Sequence, residues 1–376
     1  MVVLVSAGAA FLYQFAAIFA ALRHSRRSAH AARRLPGISI LKPVCGLDSG
    51  FEEAIRSHAA QNYPEFEILF GVADLEDPAV PAIRRLAADY PSVRIRLMHS
   101  AREAPNRKVA LLEALSGEAA YPVVLVNDSD IQAPDDYLRR IVGSLEDPGV
   151  GLVTCLYRGW SENWPGRFEA LGIATDFVPS VLVAPLAGVN EFALGSTLLL
   201  RRARLDEIGG FASLADYLAD DYQLGKRIRA AGYRIELSGV VVSTRLSDTT
   251  WSGVWRHQLR WRRTIRVSKG LGYLGIPVTL ATLWSAVAAA LGFWPIGLAL
   301  LGVRLAAGWL TGVGILRCPI TARYFWLIPC WDLWAGALWL AGLAGRTVEW
   351  RGRRLRLSPD GRIVDAVSGG PAGSAA

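Results

Sequence analysis

The residues of this chain that could do chemistry are three sets of acids and one basic stretch. Asn127-Asp128-Ser129-Asp130 follows the apolar run VVLV, so two carboxylates stand two residues apart at the end of what reads as a buried strand. Carboxylates this close repel each other unless a cation sits with them. One or two carboxylates together with substrate phosphates make the oxygen set that Mg2+ or Mn2+ takes. Alone, an Asp-x-Asp is as readily a solvated, capped turn. Asp74 ends a second apolar run, FEILFGVAD, where a carboxylate can accept a hydrogen bond from a nucleotide base. Helix capping is the bland alternative, and Asp77 before Pro78 suits that job better. Asp220 and Asp221 precede a helical pattern, either as favourable charge at a helix N-terminus or as a general base within reach of an acceptor hydroxyl. Finally, WRHQLRWRRTIR carries Arg256, Arg260, Arg263 and Trp261. These offer guanidinium groups to a diphosphate beside an indole wall, or else form a basic flank at a membrane surface.

The elements that must position these residues follow from apolar periodicity. ISILKPV, FEILFGV, VRIRLMH and VVLV read as strands, and FEEAIRSHAAQNYP and PAVPAIRRLAADYP as helices. Such alternation predicts a parallel sheet with crossover helices. Ligands of open α/β sheets bind at the carboxyl ends of the strands, which places Asp74, Asp128 and Asp130 on one edge.

Composition sets the surroundings. The chain has 376 residues, 52% hydrophobic and 20% charged, against about 45–50% and about a quarter in a soluble domain. An ordinary cytosolic enzyme is disfavoured and a disordered chain is excluded. Cys45, Cys155, Cys318 and Cys330 are too scattered for a disulfide framework or a zinc site. Of the 41 basic residues only Lys42, Lys108, Lys226 and Lys269 are lysine. That bias reflects either phosphate and anionic-lipid contacts or the base composition of the coding DNA.

Residues 2–22 carry no charge and precede Arg23, Arg26, Arg27, Arg33 and Arg34. About 20 residues suffice to cross a bilayer, and a cleaved leader would carry its charge before the apolar run, so a signal anchor with a cytoplasmic basic flank is expected. Residues 272–293, 296–316 and 326–345 are further apolar stretches, the first two joined by FWPIG as a helical hairpin. Arg304 and Asp332 lie inside them. Charges at bilayer depth normally pair or face protein, so these two are expected to face each other or the catalytic domain, or else to snorkel to an interface. The boundaries expected are an anchor at 1–24, a catalytic domain at 36–270, membrane helices at 271–348 and a basic tail at 349–376 with a frayed Gly/Ala/Ser-rich end. Four crossings would put that basic tail outside, so either 326–345 does not cross or the tail breaks the charge rule.

Taken together, ISILKPVCGLD, YPEFEILFGVADLEDPA, NRKVALL, DSDI, LADDYQLGKRI, RHQLRW and WRGRRLRL resemble the ceramide glucosyltransferase family. Its members are inverting GT-A glycosyltransferases related to cellulose and hyaluronan synthases. The likeness runs over nearly the whole chain. It implies an α/β GT-A fold, Rossmann-like with a mostly parallel sheet, plus N- and C-terminal transmembrane helices. By that resemblance Asp74 holds the uracil and ribose end of a UDP-sugar, and Asp128 lies near its ribose and diphosphate. Asp130 is the ligand of Mn2+ or Mg2+, Asp221 is the base, and Arg260 and Trp261 close a (Q/R)xxRW motif. The first motif position here is His257, with Gln258 one step late, so either His257 contacts phosphate or Gln258 substitutes through a shifted helix. Lys42 and Lys108 are donor contacts or plain surface charge.

The implied reaction moves glucose from UDP-glucose to ceramide with inversion, an α-linked donor giving a β-glycoside. DSDI, GSTLLLRR and LADDYQLG also resemble bacterial hopanoid-associated glycosyltransferases, which implies a hopanoid acceptor and an N-acetylhexosamine donor. A polysaccharide synthase is a further reading, for which three C-terminal apolar segments are few. A non-catalytic membrane scaffold is another, and the joint presence of Asp74, Asp128, Asp130, Asp221 and Arg260 speaks against it. The partners expected are a UDP-sugar, a membrane lipid and the membrane, without nucleic acid. The place expected is a bacterial inner membrane, crossed more than once, with the catalytic domain cytoplasmic. The apolar segment 172–200 either belongs to the core or lies on the bilayer and admits a lipid headgroup beside Asp221.

Overall fold

The computed structural model describes residues 2–27, 32–246 and 249–367; the Gly/Ala/Ser-rich end at 368–376 lies outside the described residues. Eight strands form the main sheet: β1 (Ile38–Val44), β2 (Phe66–Val72), β3 (Arg94–His99), β4 (Val123–Val126), β5 (Ile131–Gln132), β6 (Val150–Trp160), β7 (Leu198–Arg201) and β8 (Arg234–Arg245). Their order is β3-β2-β1-β4-β7-β6-β8-β5. The run β3-β2-β1-β4 is parallel, and β7 enters antiparallel between β4 and β6. β1 is buried along its whole length, as a central strand covered on both faces must be. On one face Ile38, Ile40, Ile68 and Phe70 pack against the helices Phe51–Ala59 and Val80–Asp89. On the other, Leu41, Leu69 and Val126 meet the helices Arg107–Gly117 and Asp220–Ala230. Two-sided burial thus selects continuous β-branched and aliphatic runs, and the acids begin where the strands end.

Apolar helices flank this sheet at both ends of the chain. Val3–Ser25, Trp294–Ile315 and Pro319–Leu343 are each long and apolar enough to cross a membrane, as is Trp164–Ala187 within the α/β part. The last of these passes through a π-helical stretch, Ile173–Phe177, and buries Ala174, Val178 and Val181 against Ala20 and Ala21 of the first helix. The two ends of segment 172–200 are therefore packed against the sheet and the apolar helices, while residues 185–188 between them are exposed. Residues 272–293, expected as one long apolar helix, are not one. A 3-10 stretch, Gly270–Thr279, carries Pro277, and the path bends by 53° before the ten-residue helix Ala281–Ala290. Proline removes an N–H and clashes with the preceding turn, so the helix breaks there. Ten residues rise about 15 Å, about half of a hydrocarbon core. The helix Ala281–Ala290 does pair with Trp294–Trp309 as a hairpin, where Ser285 donates to the Gly297 carbonyl at 2.6 Å.

Arg304 and Asp332 face each other. Arg304 Nη2 and Nε reach the two Asp332 oxygens at 2.7 and 3.0 Å, and Nη1 donates to the Thr175 carbonyl at 2.9 Å. Both residues are buried, so a charge in each of two apolar helices is satisfied by the other and by the π-helical stretch.

The end of the chain returns to the α/β part. β9 (Thr347–Trp350), β10 (Arg353–Leu357) and β11 (Ile363–Val367) form an antiparallel sheet. Val348, Leu355, Leu357 and Ile363 cover Leu218 and Val267. Both ends of the segment Pro319–Leu343 are tied to the same body. Arg158 of β6 donates to the Leu316 and Arg317 carbonyls, and Arg263 to the Ala344 carbonyl. The segments before and after Pro319–Leu343 therefore both contact the α/β part.

Candidate active site

The site lies at the carboxyl ends of β1 and β4, held open by hydrogen bonds to the residues between its acids. Asn127, the first residue after β4, is buried and donates to Tyr137 Oη (3.0 Å) and the Ser196 carbonyl (2.6 Å). His58 Nε2 lies 3.2 Å from its side-chain oxygen. Burial pushes His58 down to about 3, so it stays neutral, and its Nδ1 faces the Ala54 carbonyl at 2.9 Å. Asp128 and Asp130 take different partners. Lys108 Nζ sits 2.8 Å from Asp128 Oδ1 and 3.1 Å from Asp220 Oδ2, while Thr244 of β8 donates to Asp130 Oδ2. Burial first, then Asp128, raises the Asp130 carboxyl above its ordinary range. Burial opposes the charge on Lys108, but Asp128 and Asp220 outweigh it and raise its pKa.

Lys42 and Lys108 are not surface charge. Lys42 is fully buried on β1, one residue past the last pairing with β4 (Leu41 with Val126), and its Nζ is 3.3 Å from the Asp128 carbonyl. Burial lowers it to about 7, against the pull of Asp130 and Asp128.

Asp221 stands in the first turn of the helix Asp220–Ala230, the geometry that favours a carboxylate. Its Oδ2 accepts from the Gly195 N–H (3.0 Å) and Oδ1 from the Tyr222 N–H (2.7 Å). Burial and then Asp220 nevertheless raise it to about 6. A Cβ on Gly195 would lie 3.1 Å from Asp128 Oδ2 and 3.4 Å from Asp221 Oδ2, so the two acids converge on that glycine.

The helix Trp251–Lys269 supplies the basic side of the site. Among the described residues the Arg260 guanidinium has no hydrogen-bond or ion-pair partner. Burial lowers its pKa while Asp128 and Asp221 support its charge, which places it in the field of both acids. Trp261 packs edge-on to His257 (4.9 Å between centroids) and against Phe177 (5.5 Å), which in turn meets Tyr157. His257 and Gln258 are both engaged elsewhere, with Glu169: Nδ1 at 2.6 Å and Nε2 at 2.8 Å from its buried Oε1. Gln258 is itself buried at that helix interface. Arg263 is spent on the Ala344 and Thr347 carbonyls, and Arg256 lies 4.0 Å from Glu349, so of the arginines weighed in this stretch Arg260 alone is presented to the acids. Asp74 is exposed beyond β2 and accepts from the Glu76 N–H at 2.9 Å; Asp77 accepts from the Ala79 and Gly46 N–H groups.

Two partners at the site, Asp48 at the end of ISILKPVCGLD and Arg351 in WRGRRLRL, lie in motifs that gave them no role. Ser129, between the two acids, donates to Asp48 at 2.9 Å, and Arg351 grips both Asp48 oxygens at 2.7 and 2.8 Å. Arg351 and Gly352, with φ 48° and 73°, form a two-residue turn between β9 and β10. Turns of this kind need left-handed backbone at both positions, a cost for arginine but not for glycine. An Arg-Gly pair between alternating runs is a hairpin signal, but nothing local tells which loop its tip will touch. Among the described residues no three His, Cys, Asp or Glu side chains gather to hold a metal alone. Asp128 and Asp130 suit a divalent cation that draws its other oxygens from a donor diphosphate.

With this geometry established, comparison with known proteins assigns the chain. The model of glycosyl transferase family 21 matches residues 2–363, and the chain belongs to that family. Ceramide glucosyltransferase 1 of Caenorhabditis elegans is 26% identical over 231 residues, 61% of this chain and 49% of that protein. Ceramide glucosyltransferase 3 of the same organism is 28% identical over 232 residues, 60% and 50% respectively. The matched region spans about half the length of these relatives. Among solved structures, a mannosyltransferase from Pyrobaculum calidifontis in complex with GDP-Man and Mn2+ superposes with a TM-score of 0.54 at 20% identity, covering 90% of this chain and 97% of that one. The fold is GT-A-like, mixed α/β with a mostly parallel eight-stranded sheet.

Proposed function

We propose that this family 21 glycosyltransferase moves a hexose from a UDP-sugar to the hydroxyl of a membrane lipid with inversion, glucose to ceramide being the first reading. The observation that carries the proposal is the approach of Asp128 and Asp221 to Gly195, beside Lys108 and an unpartnered Arg260. Asp221, with a pKa near 6, removes the proton of the acceptor hydroxyl as that oxygen attacks the anomeric carbon. The bond from that carbon to the diphosphate oxygen breaks and its electron pair leaves with UDP. Arg260, Lys108 and Lys42 face the charge that develops there, which is electrostatic stabilisation of the transition state. Asp130 and Asp128 would hold a Mn2+ or Mg2+ ion there, and that ion would supply further neutralisation of the same charge. Asp74 takes the uracil and ribose end, and Trp261 walls the sugar. His257 and Gln258 act through Glu169 by fixing the helix that carries Arg260.

A lipid acceptor is supported by a cleft of about 290 Å3 lined by Trp164, Phe168, Leu171, Trp251, Tyr324 and Trp326. It lies between two helices of membrane-spanning length and the start of the helix that bears Arg260. A membrane location with the sheet domain on the cytoplasmic side belongs to the same reading. The test is transfer by the purified chain in nanodiscs with Mn2+ or Mg2+, crossing UDP-glucose and UDP-N-acetylglucosamine with ceramide and a hopanoid. The expected outcome is a β-glucoside of ceramide; transfer only from UDP-N-acetylglucosamine to the hopanoid selects the second donor and acceptor. Activity insensitive to chelator removes the cation from Asp130.

A further inference from the structure

Away from the acids, the end of the first apolar helix meets the start of β8 across a cleft of about 760 Å3. Arg23, Arg26 and Arg27 line it from the helix, Arg229 and Arg234 from the sheet domain. The one carboxylate among its lining residues, Glu236, already accepts from Ser144 at 2.6 Å. Arg27 gives a donor to the Leu237 carbonyl (3.1 Å), Arg229 one to the Tyr233 carbonyl (3.0 Å), and Arg234 pairs with Asp147. A guanidinium has five N–H donors in a rigid fork, so each keeps donors to spare. Like charges gathered around one cleft repel unless an anion joins them, and arginine forks match phosphate oxygens bidentately.

We propose that this cleft binds the phosphate of an anionic membrane-lipid headgroup, at a site separate from the sugar-donor site and independent of the transfer reaction. The lipid is favoured over free phosphate by position. The cleft opens at the Ser25 end of a helix, Val3–Ser25, that is long and apolar enough to cross a bilayer. Basic pockets beside membrane helices lie at headgroup level. Arg33 and Arg34 belong to the same basic flank but do not line the cleft; their backbone N–H groups donate to Glu146 instead.

That difference provides the control. The full chain is placed in phosphatidylcholine nanodiscs doped with phosphatidylglycerol, and retained lipids are counted by native mass spectrometry after extraction into detergent. Arg26→Gln with Arg229→Gln is expected to weaken phosphatidylglycerol retention about fivefold per arginine removed. Arg33→Gln with Arg34→Gln, which removes equal charge outside the cleft, leaves retention unchanged. Should the first pair fold poorly, Arg23→Gln alone, at an exposed position, gives the single fivefold step. Equal loss in both pairs means diffuse attraction to the surface and overturns the proposal, as does retention untouched by the cleft variants. Soluble glycerol phosphate that binds as tightly as the lipid and displaces it overturns the lipid assignment.

Discussion

Asp221 has the environment of a base held ready at neutral pH. Its carboxylate accepts two backbone N–H groups yet is raised to about 6, by burial first and by Asp220 second. In the proposed reaction the deprotonated form is the competent one, so kcat/KM is expected to fall as pH drops through about 6. Lys42, lowered by burial to about 7, must be charged to meet a diphosphate, so the same profile falls again above about 7. The transfer rate across pH, measured with donor well below KM, checks both limbs. Asp221→Asn abolishes transfer and keeps donor affinity by calorimetry, and Lys42→Met removes the alkaline limb while raising donor KM. Arg351 works through Asp48 and Ser129, so it is a positioning residue. Arg351→Gln removes a charge-assisted pair, an interaction of about 1.5–3 kcal/mol, and is expected to raise donor KM about tenfold. Asp48→Asn added to it costs little more, because two partners of one contact are not additive. Independent, additive losses place Arg351 outside this contact.

At the scale of elements, the turn after the apolar helix and the helix Trp251–Lys269 set the spacing between acid and base. Gly195 has ordinary backbone angles, so an alanine there is allowed by the chain but crowded by Asp128 and Asp221. Gly195→Ala is expected to lower kcat by at least an order of magnitude while shifting the melting temperature little, since the extra methyl meets carboxylates at contacts that leave only tenths of an ångström to give. Glu169 is the matching device on the other side. Buried, it holds His257 and Gln258 and with them the register of Arg260. Glu169→Gln weakens two hydrogen bonds at a helix interface, at a cost to stability of about 1–3 kcal/mol. Thermal unfolding measures that loss, and donor KM should rise with it because Arg260 is displaced.

Over the whole molecule, a buried ion pair joins the apolar helices to the α/β part. Arg304 and Asp332 neutralise one another, and the remaining Arg304 nitrogen, Nη1, donates to the Thr175 carbonyl one residue before Asp176. Asp176 pairs with Arg262 at 2.7 Å on the helix that bears Arg260. Removing one partner of a buried pair costs about 3–5 kcal/mol, because the other charge is stranded, whereas replacing both by apolar groups costs far less. Arg304→Leu or Asp332→Leu alone is therefore expected to lower folded yield sharply, and the double variant to recover much of it. Size-exclusion profiles and melting in detergent decide. Equal damage in all three variants removes the pairing as the reason these charges are tolerated.

Local sequence was enough to specify the parallel strands, the acids at their carboxyl ends and the apolar first helix. Each rests on short-range physics: two-sided burial makes continuous apolar runs, and polar residues begin where pairing stops. Asp74 and Asp128 stand just past β2 and β4 for that reason, whereas Asp221 stands in the first turn of a helix. Tertiary structure alone decided the rest. It buried Lys42, set Lys108 between Asp128 and Asp220, turned His257 and Gln258 toward Glu169, and brought Arg351 from the far end of the chain onto Asp48. These contacts join residues up to about three hundred positions apart, and no local preference encodes them. The Arg351 contact arises because the β9–β11 sheet covers Leu218 and Val267, and a hairpin anchored there carries its tip to the acidic edge.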